Sequence, residues 1–175
     1  MTPAPSNFTL FHEIFILDAY IQRALDESKK DSITKNLIDD LLTALRMDPL
    51  GELRVFPATD LRAPGWSFLI PITTSHISGH YFEGPGRLPH IRMDTYSCAS
   101  VNWRKVVDIV HKHLGLEKWR GTFIDRQIGT DGSERMMVDI YGMGDQVLDE
   151  RKLFVQNPKL AAEYMSREEP VAAGA

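Results

Sequence analysis

Between Trp66 and Cys98 the chain carries two serines that invite chemistry, Ser67 and Ser75, a histidine, His80, and its only cysteine, Cys98. Two hydroxyls, an imidazole and a thiol can supply a nucleophile, a base that works near neutral pH and a proton donor. Each residue also has a plainer reading. A serine alone is a turn or strand-end hydroxyl, a strand histidine is a core side chain bonded to its sheet, and a strand cysteine is a small apolar filler. His76 and His80, with His90 and Cys98 nearby, have the donor types of a zinc site, yet spacing of four needs a helix and Gly79 sits in a β-rich context. Strict strand alternation sends Ser75 and His80 to opposite faces, so they act together only if Ser75 lies at a turn or strand end.

The elements that must hold these residues follow from periodicity. An apolar run rich in aromatic and β-branched residues predicts an opening strand over about Thr9 to Leu17, followed by a polar connection over Asp26 to Asp31. Ile33, Leu37, Ile38, Leu41, Leu42 and Leu45 recur at helical spacing, with Ser32 as N-cap and Pro49-Leu50-Gly51 as stop. Strands are expected at Glu52 to Phe56, Trp66 to Thr73, His76 to Glu83 and His90 to Ser97, with Pro71 marking an edge or bulge. A second helix spans Asn102 to Leu114, capped by Asn102 and ended by Gly115. Gly121 to Ile128 and Arg135 to Ile140 read as a closing hairpin around Thr130-Asp131-Gly132, and a tail from Asp149 carries a helix over Pro158 to Met165. Strands with interspersed helices in this order predict an α+β two-layer sandwich, a mostly antiparallel sheet with helices packed on one face, in a single domain over residues 1–175.

Composition narrows the class of partner. The 175 residues include 20 basic and 24 acidic side chains, a formal charge of -4, so no broad basic face is expected to hold nucleic acid. No apolar run approaches the length of a membrane span and Met1 to Asn7 lack the layout of a signal peptide, so the chain reads as cytoplasmic with no membrane partner.

Ser75-His76-Ile77-Ser78-Gly79-His80, with Ser67 eight residues before Ser75, and Asp94-Thr95-Tyr96-Ser97-Cys98 on the next strand together resemble the S-adenosylmethionine decarboxylase family in its small bacterial and archaeal form. The resemblance covers about Trp66 to Ser100 closely and extends by element order over Thr9 to Ile128. It implies self-cleavage between Thr74 and Ser75, into a β chain of residues 1–74 and an α chain of residues 75–175, with Ser75 converted to a covalent pyruvoyl group. In that scheme His80 removes the Ser75 Cα proton, Ser67 donates to the oxyanion of the cyclic intermediate, and Cys98 returns a proton to the substrate carbon that loses carbon dioxide. The carbonyl bonds the substrate's amine and acts as the electron sink. The resemblance further implies S-adenosylmethionine as substrate, spermidine and other polyamines as the pathway, and a homodimer of processed protomers.

Where the chain departs from the family, recognition is affected more than chemistry. Thr74 replaces a common Glu before the cleavage serine, the position four after His80 is Gly84 with the carboxylate Glu83 one step early, and the hairpin before Cys98 is longer. Tyr81, Phe82 and Phe56 offer aromatic surfaces for an adenine and a sulfonium, or else belong to the core. Two alternatives stay open: a pyruvoyl-dependent decarboxylase of a basic amino acid such as ornithine or arginine, and an unprocessed relative that regulates a partner decarboxylase.

Overall fold

The computed structural model describes residues 11–84, 86–126 and 136–154. Within them the chain forms β1 (Glu13–Ile21), a 3-10 turn (Glu27–Lys29), α1 (Lys30–Leu45), β2 (Arg54–Pro57), β3 (Gly65–Ile72), β4 (Ser75–Phe82), β5 (His90–Ser97), α2 (Trp103–Leu114), β6 (Leu116–Asp125), β7 (Met136–Met143) and β8 (Gln146–Phe154). The fold is α+β, with one eight-stranded sheet in the order β2-β3-β4-β5-β1-β6-β7-β8. Every neighbouring pair of strands is antiparallel.

Alternation decides which side of the sheet the helices cover. Phe15, Leu17 and Ile21 of β1, Trp66, Phe68, Ile70 and Ile72 of β3, Ile77 and Tyr81 of β4, and Ile91 and Met93 of β5 are buried and join Leu37, Ile38 and Leu41 of α1 and Val106, Val107 and Val110 of α2 in one core. Each such side chain contributes roughly 1.5–3 kcal/mol by leaving water. Trp66 Nε1 also donates to Thr34 Oγ1 at 3.0 Å, pinning α1 to β3. The intervening residues, Ser67, Leu69, His76, His80, Tyr96, Tyr20 and Tyr141 among them, face the other way, and no helix among the described residues covers that side.

Several boundaries differ from the sequence expectation for identifiable reasons. The first strand runs later, Glu13–Ile21, while Thr9 and Leu10 lie outside the described residues. The first helix starts at Lys30 because Asp26 accepts from the Ser28 backbone N–H and opens a 3-10 turn that runs straight into it; Ser32 donates its hydroxyl to Lys29 O instead of capping. That helix ends at Arg46, in the left-handed region at φ 55°, before Pro49 is reached. Asn102 and Gly115 do cap α2 as expected, Asn102 accepting from Lys105 N–H. Pro71 lies beyond the last β2 pair, Arg54↔Leu69, where an isolated Pro49↔Ile72 bridge takes over the pairing and Pro71 O accepts from Leu50 N–H. Asp149 is in β8, a strand where a tail was expected; the helix read over Pro158 to Met165 lies outside the described residues, as does the Thr130-Asp131-Gly132 turn. No described helix is long and apolar enough to cross a membrane.

Gly65 begins β3 at φ +134°, opposite Phe82, where an added Cβ would stand 1.9 Å from Tyr81 O. Gly65→Ala is therefore expected to lower stability by more than about 2 kcal/mol, through backbone strain and loss of the pairing that starts this hairpin. Urea unfolding followed by far-ultraviolet circular dichroism measures it, and a change under 0.5 kcal/mol would contradict the close approach.

Candidate active site

A two-residue connection, Thr73-Thr74, joins β3 to β4, with Ile72 paired to Ser75 across it. Thr74 has φ +64°, Thr73 does not have positive φ, and that sign pattern belongs to a type II turn, whose second central residue is ordinarily Gly or Asn. A β-branched residue held there stores on the order of 1–3 kcal/mol. The surroundings over-determine it: Thr73 N–H donates to Asp48 O at 2.9 Å and Leu50 N–H to Pro71 O at 2.9 Å, tying the turn to the segment after α1. Arg46 and Thr74, the two non-glycine residues with positive φ among the described residues, line the same cleft of about 280 Å³. It lies between the end of α1, the Thr73-Thr74 turn and Ser97-Cys98-Ala99.

Ser75, first residue of β4, has a buried hydroxyl without a hydrogen-bond partner. Such a group costs roughly 1–3 kcal/mol of desolvation, so the position holds a potential nucleophile at the expense of stability. Cys98 follows β5 and its thiol donates to Thr74 O at 3.2 Å. Ser97 and Glu13 hold that corner, since Ser97 Oγ accepts from Ala99 N–H at 2.9 Å and the Glu13 carboxylate accepts from Val101 N–H. His12, which enters β1, stands with Nδ1 3.7 Å from Cys98 Sγ and 3.3 Å from Tyr96 Oη. His12 joins this corner although no motif pointed to it, and Tyr96, named only as part of the Asp94–Cys98 segment, stands beside it.

Ser67 and His80 form a second group. They face each other in register on β3 and β4, on the side away from the helices, and the Ser67 hydroxyl and His80 Nδ1 are hydrogen-bonded. His80 Nε2 is buried and unpartnered. Burial, and to a smaller extent repulsion from His90, depresses the His80 pKa below its ordinary 6.5. The pair sits five residues along its strands from the Ile72↔Ser75 pair, or about 16 Å at some 3.3 Å per residue. The structure thus joins Cys98 to the carbonyl of Thr74, the residue before Ser75, and Ser67 to His80, but leaves the two groups apart within one chain, with Ser75 and His80 at opposite parity on β4.

The aromatic and acidic candidates gather at the far end of β4 from Ser75. Phe82 packs between His80 and His90, with ring centroids at 4.0 and 4.7 Å, and Phe56 is 54% exposed opposite Ser67. Of its two readings Tyr81 takes that of a core residue: it is 1% exposed, its ring 4.4 Å from Trp66, and its hydroxyl accepts from Leu25 N–H and donates to Glu83 Oε2. Burial pushes the Tyr81 phenol well above its ordinary value. Glu83 is held by Tyr81 on the helix side of the sheet, away from His80 and Phe82. Among the described residues no three His, Cys, Asp or Glu side chains gather as a metal site.

No family model matches the chain, and no curated protein matches it.

The depressed His80 pKa has a sign that can be tested. A histidine that resists protonation when folded contributes stability above its unfolded value, and that contribution is lost as pH falls through about 6.5 toward the folded value. Wild type is expected to lose more stability than His80→Gln between about pH 7.5 and 5.5. Equal slopes of urea midpoint against pH would show that His80 is not held neutral.

Proposed function

We propose that the chain is a self-processing, pyruvoyl-dependent decarboxylase with the two-layer fold of the S-adenosylmethionine decarboxylase family, acting in the cytoplasm on S-adenosylmethionine for polyamine synthesis. The observation that carries this reading is the state of one peptide unit. Thr74 is held in a left-handed conformation with its carbonyl bonded to the only thiol of the chain, and the next residue offers a buried, unpartnered hydroxyl.

Those residues suit the cutting step. Ser75 Oγ attacks the Thr74 carbonyl carbon, the Thr74–Ser75 C–N bond breaks to leave an ester, and strain at Thr74 lowers the barrier by being released. Cys98 S–H supports the negative charge that develops on Thr74 O, as an oxyanion donor does. Removal of the Ser75 Cα proton then expels the Thr74 carboxylate and leaves dehydroalanine, which tautomerises to an imine that water hydrolyses to the pyruvoyl terminus with release of ammonia. That group supplies an electrophilic carbonyl for the substrate amine and a sink for the electrons left by carbon dioxide. Arg46 and Asp48, at the cleft beside it, offer a cation and a carboxylate to a substrate that carries both charges.

Proton removal at Ser75 needs a base that the same chain holds about 16 Å away. The Ser67–His80 pair faces the side of the sheet that no described helix covers, where Phe56, Leu69, Tyr20 and Tyr141 are also exposed. A second copy of the chain laid antiparallel on that side brings its Ser67–His80 pair toward Thr74-Ser75-Cys98, so the homodimer is the working unit. Exposed apolar residues spread over one sheet face fit such a partner.

Intact mass after purification should give two pieces, residues 1–74 and a pyruvoyl-blocked 75–175, and Ser75→Ala should stay whole. One uncut wild-type chain after long incubation at neutral pH overturns the reading and favours a non-catalytic, regulatory relative. Carbon dioxide release with S-adenosylmethionine, ornithine and arginine discriminates the substrate. Co-expressing Ser75→Ala with His80→Ala should restore cleavage of the His80→Ala chain, because each copy supplies the half the other lacks. Failure to restore it, with both variants dimeric, would eliminate the two-chain site.

A further inference from the structure

We infer that His12 is the positioning residue of Cys98, the group that orients its thiol toward the Thr74 carbonyl and replaces the proton whenever the thiol gives it up. The inference rests on the proposed role of the Thr74–Ser75 peptide but on different atoms. With Nδ1 carrying its proton, the contacts run in one direction, from His12 Nδ1 to Cys98 Sγ at 3.7 Å and from Cys98 Sγ to Thr74 O at 3.2 Å. Tyr96 Oη, 3.3 Å from the same nitrogen, is a second acceptor of that proton, and Arg126 N–H donates to His12 O, fixing the backbone. His12 is half-buried at the entry to β1, and the register Glu13↔Ser97 continues outward to set it beside Cys98.

The proton accounting closes without another reagent. Cys98 releases its proton to the acceptor atom and is left as thiolate; His12, as the imidazolium, passes its Nδ1 proton to Sγ and becomes neutral imidazole, which regains a proton from water. No covalent bond other than those to hydrogen changes. A histidine is suited to the task because both of its protonation states are accessible near neutral pH. A thiol in contact with an imidazole is also a better nucleophile than an isolated one, which provides a readout separate from turnover.

The test is alkylation of Cys98 by iodoacetamide, followed by intact mass on the Ser75→Ala chain, which cannot cut itself. His12→Gly is expected to slow alkylation by about tenfold, and added imidazole to restore most of it; Tyr96→Phe should slow it less. In the otherwise native chain His12→Gly should lengthen the half-time of cleavage, again with imidazole rescue. An alkylation rate unchanged in His12→Gly overturns the inference, and so does a slowed rate that imidazole leaves untouched, since that marks a packing role. Because alkylation is read on an uncut chain, it remains decisive for His12 even if the wild type never processes, which would be a failure of the decarboxylase reading alone.

Discussion

The length of the connection between β3 and β4 governs the geometry of every candidate group in this protein. Two residues, Thr73 and Thr74, cross from one strand to the next, and the register that follows pairs Ile72 with Ser75 and, five steps on, Ser67 with His80. One residue more in either strand would turn its whole hydrophobic set outward, because the side-chain period is two. The core on the helix side, where Trp66, Ile70 and Ile77 are buried, therefore enforces a tight connection even though it must be closed by a left-handed threonine. The β4–β5 pairing, His76↔Tyr96, then carries Cys98 to the same corner. Packing energy from the core, distributed over many side chains, holds strain at one peptide unit.

The two sides of the sheet have divided labour accordingly. Toward the helices the pattern is apolar and closed; Trp66 Nε1 is satisfied by Thr34 and the Tyr81 hydroxyl by Leu25 and Glu83, while the Thr95 hydroxyl on the same side is buried without a partner. The unpartnered buried side-chain atoms include Ser75 Oγ and His80 Nε2, one in each of the two separated groups. Unsatisfied polar atoms are rare in folded proteins and cost stability, so their occurrence at these positions marks places where the fold tolerates a penalty.

Much of this was legible in the sequence. The His90 to Ser97 strand and the capped α2 helix carried clear periodicity and caps, and the parity of Ser75 against His80 already separated them. The shift of Glu83 onto the helix side followed from the same counting. Other features were hidden by competing interactions. Asp26 opens a turn before Ser32 can act as a cap, so the helix begins early. The β8 strand, with Asp149, Glu150, Arg151 and Lys152 in succession, looks like a solvated tail because edge strands are charged against unwanted pairing. The nearness of His12 to Cys98 spans 86 residues and depends on β1 inserting between β5 and β6, which no local pattern reveals.

The left-handed turn also fixes what kind of object the protein becomes. While Thr74 and Ser75 remain joined, each copy of the chain builds its sheet by a unimolecular step. On the proposed reaction the covalent link at the tip of the hairpin is lost, while eight paired positions from Gly65↔Phe82 to Ile72↔Ser75 keep the fragments in one sheet. Assembly of the sheet itself would thereafter be bimolecular, which adds a dependence on dilution to the one that dimerisation brings. The new chain end at residue 75 forms only after the sheet has folded around it, so a matured molecule that comes apart must reunite two pieces without the short connection that first set their register.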